Sequence, residues 1–231
     1  MKDLWQKLRI YGVGRFASYV LSELRLFVFR WVRGSYSQMG EDLVIDKLVG
    51  WKERGFYVDV GANDPVRFNN TYRFYKRGWR GINLEPDLGR FEEIKKARLR
   101  DTNLNIGVGG KAGLMTLYRF MPDTLSTFSE KEAKEYQREG YILREKRKVR
   151  VEGMATIFAK HVGKRQIDFM SIDTEGFDEE VLASNDWKKY RPRIICVESE
   201  NVGRILKNAG YELVLDNGLN RIYQNKGKRK K

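Results

Sequence analysis

Acidic residues stand at or near the ends of four apolar runs, each about as long as a buried strand. They are Asp59, Glu85, Asp173 with Glu175, and Glu198. In an open α/β sheet the ligand lies beyond the carboxyl ends of the strands, so we expect these side chains to face one site. Carboxylates gathered there can accept hydrogen bonds from hydroxyl groups, attract a cation or take up a proton.

The first two runs have the features of a nucleoside site. The turn Gly61, Ala62, Asn63 follows the first run, and Glu85 stands 24 residues after Gly61, where an acid suits contact with ribose hydroxyls. One glycine beside two acids makes a poor phosphate site, because such sites need several backbone N–H groups and a lysine. The residues favour a ligand with a ribose and a positive centre over NAD or ATP. S-adenosylmethionine has both.

Short apolar runs alternate with amphipathic stretches from residue 35 onward, a pattern that predicts an α/β fold with a mostly parallel sheet. Strands are expected at 55–60, 80–85, 103–106, 166–173 and 193–198, with an antiparallel pair at 211–215 and 221–223. Helices are expected at 41–51, 70–76, 88–99, 155–161, 177–183 and 202–209. Between them, a hairpin is expected at 113–120, a helix plus loop at 129–148 and a short strand at 149–152.

Four sequence motifs occur in the order found in one known family. They are SQMGED at 37–42, VDVGAND at 58–64 followed by NNT at 69–71, NLEP at 83–86, and SIDTEGFD at 171–178. Together they resemble the FkbM-type family of S-adenosylmethionine-dependent methyltransferases over roughly residues 35–215. The resemblance implies a Rossmann-like sheet of seven mostly parallel strands with helices on both faces. It also implies methyl transfer to oxygen, usually a hydroxyl of a sugar or of a glycosylated metabolite.

The resemblance also implies which residues bind the cofactor. They are Gln38, Glu41, Asp59, Gly61, Ala62, Asn63, Asn70, Thr71, Glu85, Pro86, Asn105 and Ile106. The residues around Gly61 would enclose the methionine end, and Asn70 and Thr71 would lie near its carboxylate. Glu85 would hold the ribose, residues 105–107 would flank the adenine, and Gln38 and Glu41 would close one side. The chain departs from the family at Asp64-Pro65, where a glycine is more common.

Catalysis by such a fold needs a group that takes the proton of a weakly nucleophilic hydroxyl, or a metal ion. Asp173 and Glu175 are the expected base because their strand ends near the methyl group. Asp173 and Glu198 are the alternative, as oxygen ligands of Mg²⁺ or Mn²⁺. A third interpretation makes Asp173 or Glu175 a cap of the following helix. The acceptor region is expected at 120–144, which could also be a surface loop and a charged helix.

The one histidine and the one cysteine are expected to have no catalytic role. His161 follows a short predicted helix, and Cys196 lies inside a predicted apolar strand, where it belongs to the core. One cysteine and one histidine exclude a disulfide framework, a multi-cysteine zinc site and two-histidine metal motifs.

The formal net charge is +14 over 231 residues, and most of it is terminal. Residues 1–34 and 226–231 each carry +5, whereas the expected methyltransferase domain, 35–225, carries +4. The last segment is expected to be a disordered basic tail. The first is a basic amphipathic helical extension, which either lies on an anionic membrane or packs on the domain or a second subunit. It contains neither a membrane span nor a signal peptide, so we expect a cytoplasmic protein, peripheral at the inner face if membrane-bound.

Two other functions fit a basic chain of this fold. One is nucleic-acid methylation, RNA included, but base-amine enzymes commonly carry an Asn/Asp-Pro-Pro-Tyr/Phe turn where this chain has Asp-Thr-Glu-Gly at 173–176. Cytosine C5 methylation needs a cysteine in a loop, whereas Cys196 lies in a predicted strand. The other function is cofactor binding without turnover, against which the acidic strand ends argue.

Overall fold

The computed structural model describes residues 32–227 continuously and, before them, scattered positions between 14 and 28. Within 32–227, seven strands form one sheet in the order β3-β2-β1-β7-β8-β10-β9. They are β1 Phe56–Val60, β2 Arg80–Leu84, β3 Thr102–Leu104, β7 Phe169–Ile172, β8 Ile194–Val197, β9 Tyr211–Asp216 and β10 Arg221–Asn225. Only β10 runs antiparallel to its neighbours in this sheet. The predicted Rossmann-like fold and its closing antiparallel pair are therefore confirmed.

Helices cover both faces of this sheet. They are α1 Glu41–Leu48, α2 Tyr72–Arg77, α3 Leu88–Ala97, α4 Glu130–Arg138, α5 Met154–His161, α6 Asp178–Ala183 and α7 Gly203–Asn208, with a 3-10 turn at Asp123–Leu125. Strand β1 shows the alternation of side chains, because Val58 and Val60 pack in one core and Tyr57 in the other. Helix α1 ends before the predicted Trp51, because Gly50 and Trp51 take left-handed backbone angles of φ 73° and 56°.

The prediction of a helix plus loop at 129–148 is correct only for its first half. Helix α4 occupies part of it, but β6, Ile142–Glu152, is a single long strand. It pairs with β5, Gly113–Met121, in the predicted hairpin and with β4, Gly107–Val108. Most of β6 is charged, and the inward positions Glu145 and Arg147 pair with each other instead of forming an apolar face. The alternation that would indicate a strand is therefore hidden in the sequence.

A buried network of polar side chains fixes the turn that follows β1. Arg98, only 1% exposed, donates hydrogen bonds to the Pro65 carbonyl at 2.9 Å, the Tyr57 hydroxyl at 3.0 Å and Asn69 Oδ1 at 2.8 Å. Asn69 and Thr71 in turn donate to Asp59 Oδ2, at 3.1 Å and 2.8 Å. These bonds hold the loop 61–71 against the sheet although Asn63 and Phe68 have positive φ angles.

The chain enters the domain at the carboxyl edge of the sheet. There the Ser35 and Ser37 hydroxyls donate to Asp42 at 2.5 Å and 3.0 Å, and Arg73 donates to the Gly34 carbonyl at 2.9 Å. The described positions between 14 and 28 are helical, and their apolar side chains, such as Leu21 and Phe27, are exposed. The predicted borders at 34 and 225 stay predictions, and residues 228–231 of the tail lie outside the described residues. No helix among the described residues is long and apolar enough to cross a membrane.

We expect Arg98→Met to lower the free energy of unfolding by about 3–5 kcal/mol, because it leaves buried Asp101 and Asp59 without their cation. Urea unfolding followed by circular dichroism measures this change. Lys96→Met, at an exposed position of α3, is the matched control and should unfold close to the wild-type midpoint. An unchanged midpoint in Arg98→Met would contradict the structural role of the network.

Candidate active site

The carboxyl ends of β1, β2, β7 and β8 open onto two adjoining cavities. The empty space within the first, counted together with open solvent at its mouth, is about 590 Å³, and that within the second about 950 Å³. Residues that line both are Gly61, Asn63, Arg90, Thr124, Asp173 and Glu175. A ligand that spans the two cavities must therefore pass between the ends of β1 and β7.

Gly61 is needed for the packing of strands at this junction. Its φ is +76°, and a Cβ atom there would lie 1.8 Å from the Asp173 carbonyl oxygen. Any side chain would therefore collide with the backbone that follows β7. The close approach at this glycine is therefore to the protein's own backbone.

The first cavity has apolar walls, and the buried acids Glu85 and Asp87 also line it. Val60, Leu84, Ile106, Val108, Leu117 and Phe128 contribute to the walls. Glu85 accepts hydrogen bonds from the backbone N–H of Asn63 at 2.8 Å and of Asp87 at 2.7 Å. Burial raises the pKa of Glu85 to about 7, although these two bonds favour the ionised form. The arrangement suits a flat apolar ring with a pair of hydroxyls beside it.

Three carboxyl groups meet where the cavities join. One carboxylate oxygen from each of Asp173, Glu175 and Glu198 lies within 4.8 Å of the other two. Desolvation, followed by repulsion between the groups, raises the pKa of Glu175 to about 8, that of Glu198 to about 7 and that of Asp173 well above its ordinary value. Because carboxylate oxygens of Asp173 and Glu198 lie close together, a proton on one of the two groups relieves their repulsion. The cluster can therefore hold protons near neutral pH and exchange them with a ligand.

The insertion between β4 and α5 holds Glu175 in place. Its backbone has a positive φ of 50°, which is strained for a glutamate. The Tyr136 hydroxyl donates to Glu175 Oε2 at 2.6 Å, and the Thr127 hydroxyl donates to the Glu175 carbonyl at 2.7 Å. Tyr136 and Thr127 lie in the region 120–144 expected to bind the acceptor, but nothing in their spacing indicated a contact with Glu175.

Most of the predicted cofactor residues line a cavity. Asp59, Ala62, Asn70 and Gln38 line the second, Glu85, Pro86 and Ile106 the first, and Gly61 and Asn63 both. Asp59 and Asn70 already have protein partners, since Asp59 accepts from Thr71 and Asn70 donates to Ser171 at 3.0 Å. Their direct contact with a cofactor stays a prediction.

Three predicted residues line neither cavity and instead form hydrogen bonds with other parts of the protein. Glu41 Oε1 accepts from Asn217 at 2.7 Å and Asn220 at 3.0 Å, which joins α1 to the turn between β9 and β10. Thr71 bonds Asp59, and Asn105 donates to the backbone carbonyls of Glu85 at 2.9 Å and Pro86 at 3.1 Å. In this structure their geometry is that of positioning residues.

Arg90 was not predicted as a site residue, although it borders both cavities. Its guanidinium pairs with Asp123 at 2.9 Å and with Glu93 at 2.7 Å, so it joins α3 to the turn after β5.

The departure at Asp64-Pro65 from the family pattern also has a structural reason. Asp64 Oδ1 accepts from the N–H groups of Val66 and Arg67 at 2.9 Å and 2.7 Å, which closes the turn without a glycine. Cys196 is buried in β8, and His161 is the last residue of α5, as predicted.

Comparison with known proteins identifies the family. A model of the methyltransferase FkbM domain matches residues 59–213, which include the ends of β1, β2, β7 and β8. The chain belongs to the FkbM methyltransferase family. It is therefore an S-adenosylmethionine-dependent methyltransferase, as its motifs predicted. No curated protein matches it in sequence.

Solved structures similar to this FkbM methyltransferase share little sequence with it. A TehB-like SAM-dependent methyltransferase from Corynebacterium glutamicum is 11% identical over 91% of this chain and 99% of that chain, with a TM-score of 0.42. The fibrillarin pre-rRNA processing protein of Methanococcus jannaschii is 12% identical over 84% and 76%, with a TM-score of 0.45. TrmK of M. capricolum, in complex with S-adenosyl-homocysteine, is 11% identical over 79% and 68%, with a TM-score of 0.39.

We expect Glu85→Gln to weaken S-adenosylmethionine binding roughly tenfold to hundredfold, since a charge-assisted hydrogen bond contributes about 1.5–3 kcal/mol. Glutamine keeps one acceptor for the loop N–H groups, which alanine would leave unpaired. Because Glu85 ionises near pH 7, wild-type affinity should also fall from pH 8 to pH 6, and the variant should lose part of that dependence. Titration calorimetry measures both. Glu92→Gln, also on α3 but paired with Lys95 and lining neither cavity, is the control, and equal affinity in the two variants would refute the contact.

We expect Glu175→Gln to stabilise the ligand-free enzyme at pH 8 but not at pH 5. A folded-state pKa of about 8, above the ordinary 4.5, means that the folded protein holds an extra proton between these values, so stability falls as pH rises through that window. Glutamine carries no charge and avoids this loss. Thermal melting in EDTA measures the difference, with Glu180→Gln on α6 as control. A variant that melts below wild type at pH 8 would show that the carboxylate stabilises the fold.

Proposed function

We propose that this methyltransferase transfers the methyl group of S-adenosylmethionine to a hydroxyl oxygen of a sugar or glycan. The observation that supports this most is the position of Asp173, Glu175 and Glu198 between the two cavities. A hydroxyl needs an acceptor for its proton when it attacks a methyl group, whereas an amine attacks with a free electron pair. Three carboxyl groups whose pKa values are raised toward neutrality suit that demand.

In this proposal the cofactor spans both cavities. Adenine packs against the apolar walls of the first, near Ile106 and Phe128, and Glu85 accepts hydrogen bonds from the ribose. The sulfonium centre then lies at the junction, where the negative charge of the carboxyl cluster offsets its positive charge. The methionine end extends toward Asn63 and Asn70 in the second cavity.

The acceptor enters the second cavity beside the methionine end. Its lining combines amide, guanidinium and aromatic groups from Gln38, Asn70, Arg67 and Phe68, and the Arg67 guanidinium lies 4.1 Å from the centre of the Phe68 ring. Such a mixture of an aromatic surface and hydrogen-bonding groups suits a sugar ring. Cys196 is buried in β8, so it cannot attack a cytosine, and the turn after β7 has no Pro-Pro-Tyr sequence. Nucleic acid is therefore the poorer acceptor.

The reaction is a displacement in line with the S–CH3 bond. The acceptor oxygen forms a bond to the methyl carbon, the S–C bond breaks with its electron pair left on sulfur, and S-adenosylhomocysteine leaves as a neutral thioether. The hydroxyl proton passes to Glu175 or to the Asp173–Glu198 pair. Tyr136 keeps Glu175 pointed at the junction through its 2.6 Å hydrogen bond.

The same carboxyl groups form the candidate metal site. Their oxygens are of the kind that Mg²⁺ and Mn²⁺ prefer, and with a cation bound they would hold the acceptor oxygen near the methyl group. Melting temperatures in EDTA and with each cation distinguish the two roles, because a bound cation raises the melting temperature.

We expect Asp173→Asn and Glu175→Gln each to lower methyl transfer about 10²- to 10⁴-fold, the usual contribution of a positioned base, while cofactor binding is retained. The assay follows radioactive methyl groups from S-adenosylmethionine into a panel of free sugars and oligosaccharides, with total RNA as comparison. Glu179→Gln, exposed on α6, is the control. Label found only in RNA, or a fully active Asp173→Asn, would contradict the proposal.

A further inference from the structure

Five loops lie at the edge of the sheet opposite the active site, where the parallel strands begin. We call this surface the amino edge: residues 50–55, 78–80, 98–101, 163–168 and 186–193. These loops lead into β1, β2, β3, β7 and β8, which are consecutive in the order β3-β2-β1-β7-β8. Neighbouring strands are about 4.8 Å apart, so the loops form a row about 19 Å long.

The amino edge is strongly basic. It contains eleven Lys and Arg against four Asp and Glu, a net charge of +7. The rest of the domain from 35 to 225 has a net charge of −3. The carboxylates of two of the four acids, Asp101 and Asp168, are buried and accept hydrogen bonds from backbone N–H groups. The positive charge that the sequence distributes over the whole domain is thus concentrated on one surface.

Nine of the eleven bases of the amino edge are exposed, whereas Arg98 is buried and Arg191 is half-buried. Exposed ones are Lys52, Arg54, Arg80, Arg100, Lys164, Arg165, Lys188, Lys189 and Arg193. Two shallow depressions lie among them, one bordered by Arg54, Arg77, Arg80 and Glu53 and the other by Lys164, Arg165, Lys189 and Arg191.

Two large apolar side chains project from the same loops. Trp51 is 58% exposed and Leu99 is 80% exposed. Trp51 also has a positive φ of 56°, and its N–H donates to the Asp46 carbonyl at 3.0 Å. A non-glycine residue in this conformation costs about 1–3 kcal/mol, and an exposed tryptophan recovers little of that by packing. Trp51 thus closes the turn that ends α1 and still exposes more than half of its side chain, which is available to a binding partner.

We propose that the amino edge docks this methyltransferase on an anionic phospholipid bilayer. The bases contact lipid phosphates and carboxylates, and Trp51 and Leu99 enter the boundary between headgroups and acyl chains. Docking in this way turns the active site toward the solvent, because the cavities open at the opposite edge of the sheet. The acceptor then reaches the enzyme from the aqueous side.

The observations favour a bilayer over nucleic acid. Tryptophan can stack on a base, but an exposed leucine gains little from phosphates or base edges and much from acyl chains. The surface also differs from the N-terminal segment that the sequence indicated for membrane contact. That segment enters the domain at the carboxyl edge, where Gln38 lines the second cavity. Contact through the amino edge would therefore orient the domain differently from contact through the N-terminal segment.

The test is sedimentation of the full chain with vesicles of phosphatidylcholine and phosphatidylserine in equal amounts, with pure phosphatidylcholine vesicles as reference. We expect Arg54→Gln/Arg80→Gln to lower the partition coefficient about 25-fold, since each base near an anionic surface contributes about fivefold. Trp51→Ser should lower binding further and remove a blue shift of the tryptophan emission. Lys131→Gln/Lys148→Gln removes two exposed bases from the insertion and should bind as wild type.

Two outcomes would overturn the proposal. If Arg54→Gln/Arg80→Gln binds as wild type while Leu21→Ser/Leu24→Ser loses binding, the N-terminal segment makes the contact. The surface is a nucleic-acid site if two results occur together. The vesicles bind neither wild type nor variant, and wild type binds a uridine oligonucleotide that Arg54→Gln/Arg80→Gln does not bind. Circular dichroism and S-adenosylmethionine binding of each variant show that the fold and the distant site are intact.

Discussion

Arg98 is a full positive charge inside the protein, and the ligand side of the sheet depends on how its donors are satisfied. Its bonds to Pro65, Tyr57 and Asn69 tie α3 to the loop after β1 and to β1 itself. Asp59 completes the network from the strand. Buried charges of this kind are costly unless every partner is in place, so the loop has one well-defined conformation. That conformation places Gly61 and Asn63 at the junction of the two cavities.

The carboxyl cluster contrasts with the Arg98 network. Desolvation and mutual repulsion raise the pKa values of Asp173, Glu175 and Glu198, so their protonated forms are favoured. Such an arrangement lowers the stability of the empty enzyme above neutral pH. A cationic sulfonium centre relieves the repulsion, so cofactor binding and the charge state of the cluster are coupled. A site that stabilised its carboxylates permanently could not take up a proton during the reaction.

The sequence predicted those parts of the molecule whose signals are local. Apolar runs marked β1, β2, β7 and β8, and the acids after β7 and β8 meet in one cluster. The strand β6 could not be predicted, because its inward positions include Glu145 and Arg147, whose mutual ion pair replaces an apolar pattern. Tyr136 was missed for another reason. Its contact with Glu175 joins residues 39 positions apart through a fold of the insertion that no periodicity encodes.

Some predicted residues lie near the expected site but bond other residues of the protein instead of lining a cavity. A glutamate at position 41 can either face a ligand or anchor a turn, and only the positions of Asn217 and Asn220 decide between them. The distribution of charge over the surface likewise depends on the fold. A net charge of +4 for residues 35–225 conceals a basic edge and an acidic remainder, because all parallel strands begin at one edge and end at the other. The topology, which composition does not contain, therefore separates the surface that attracts anions from the site that attracts a cationic cofactor.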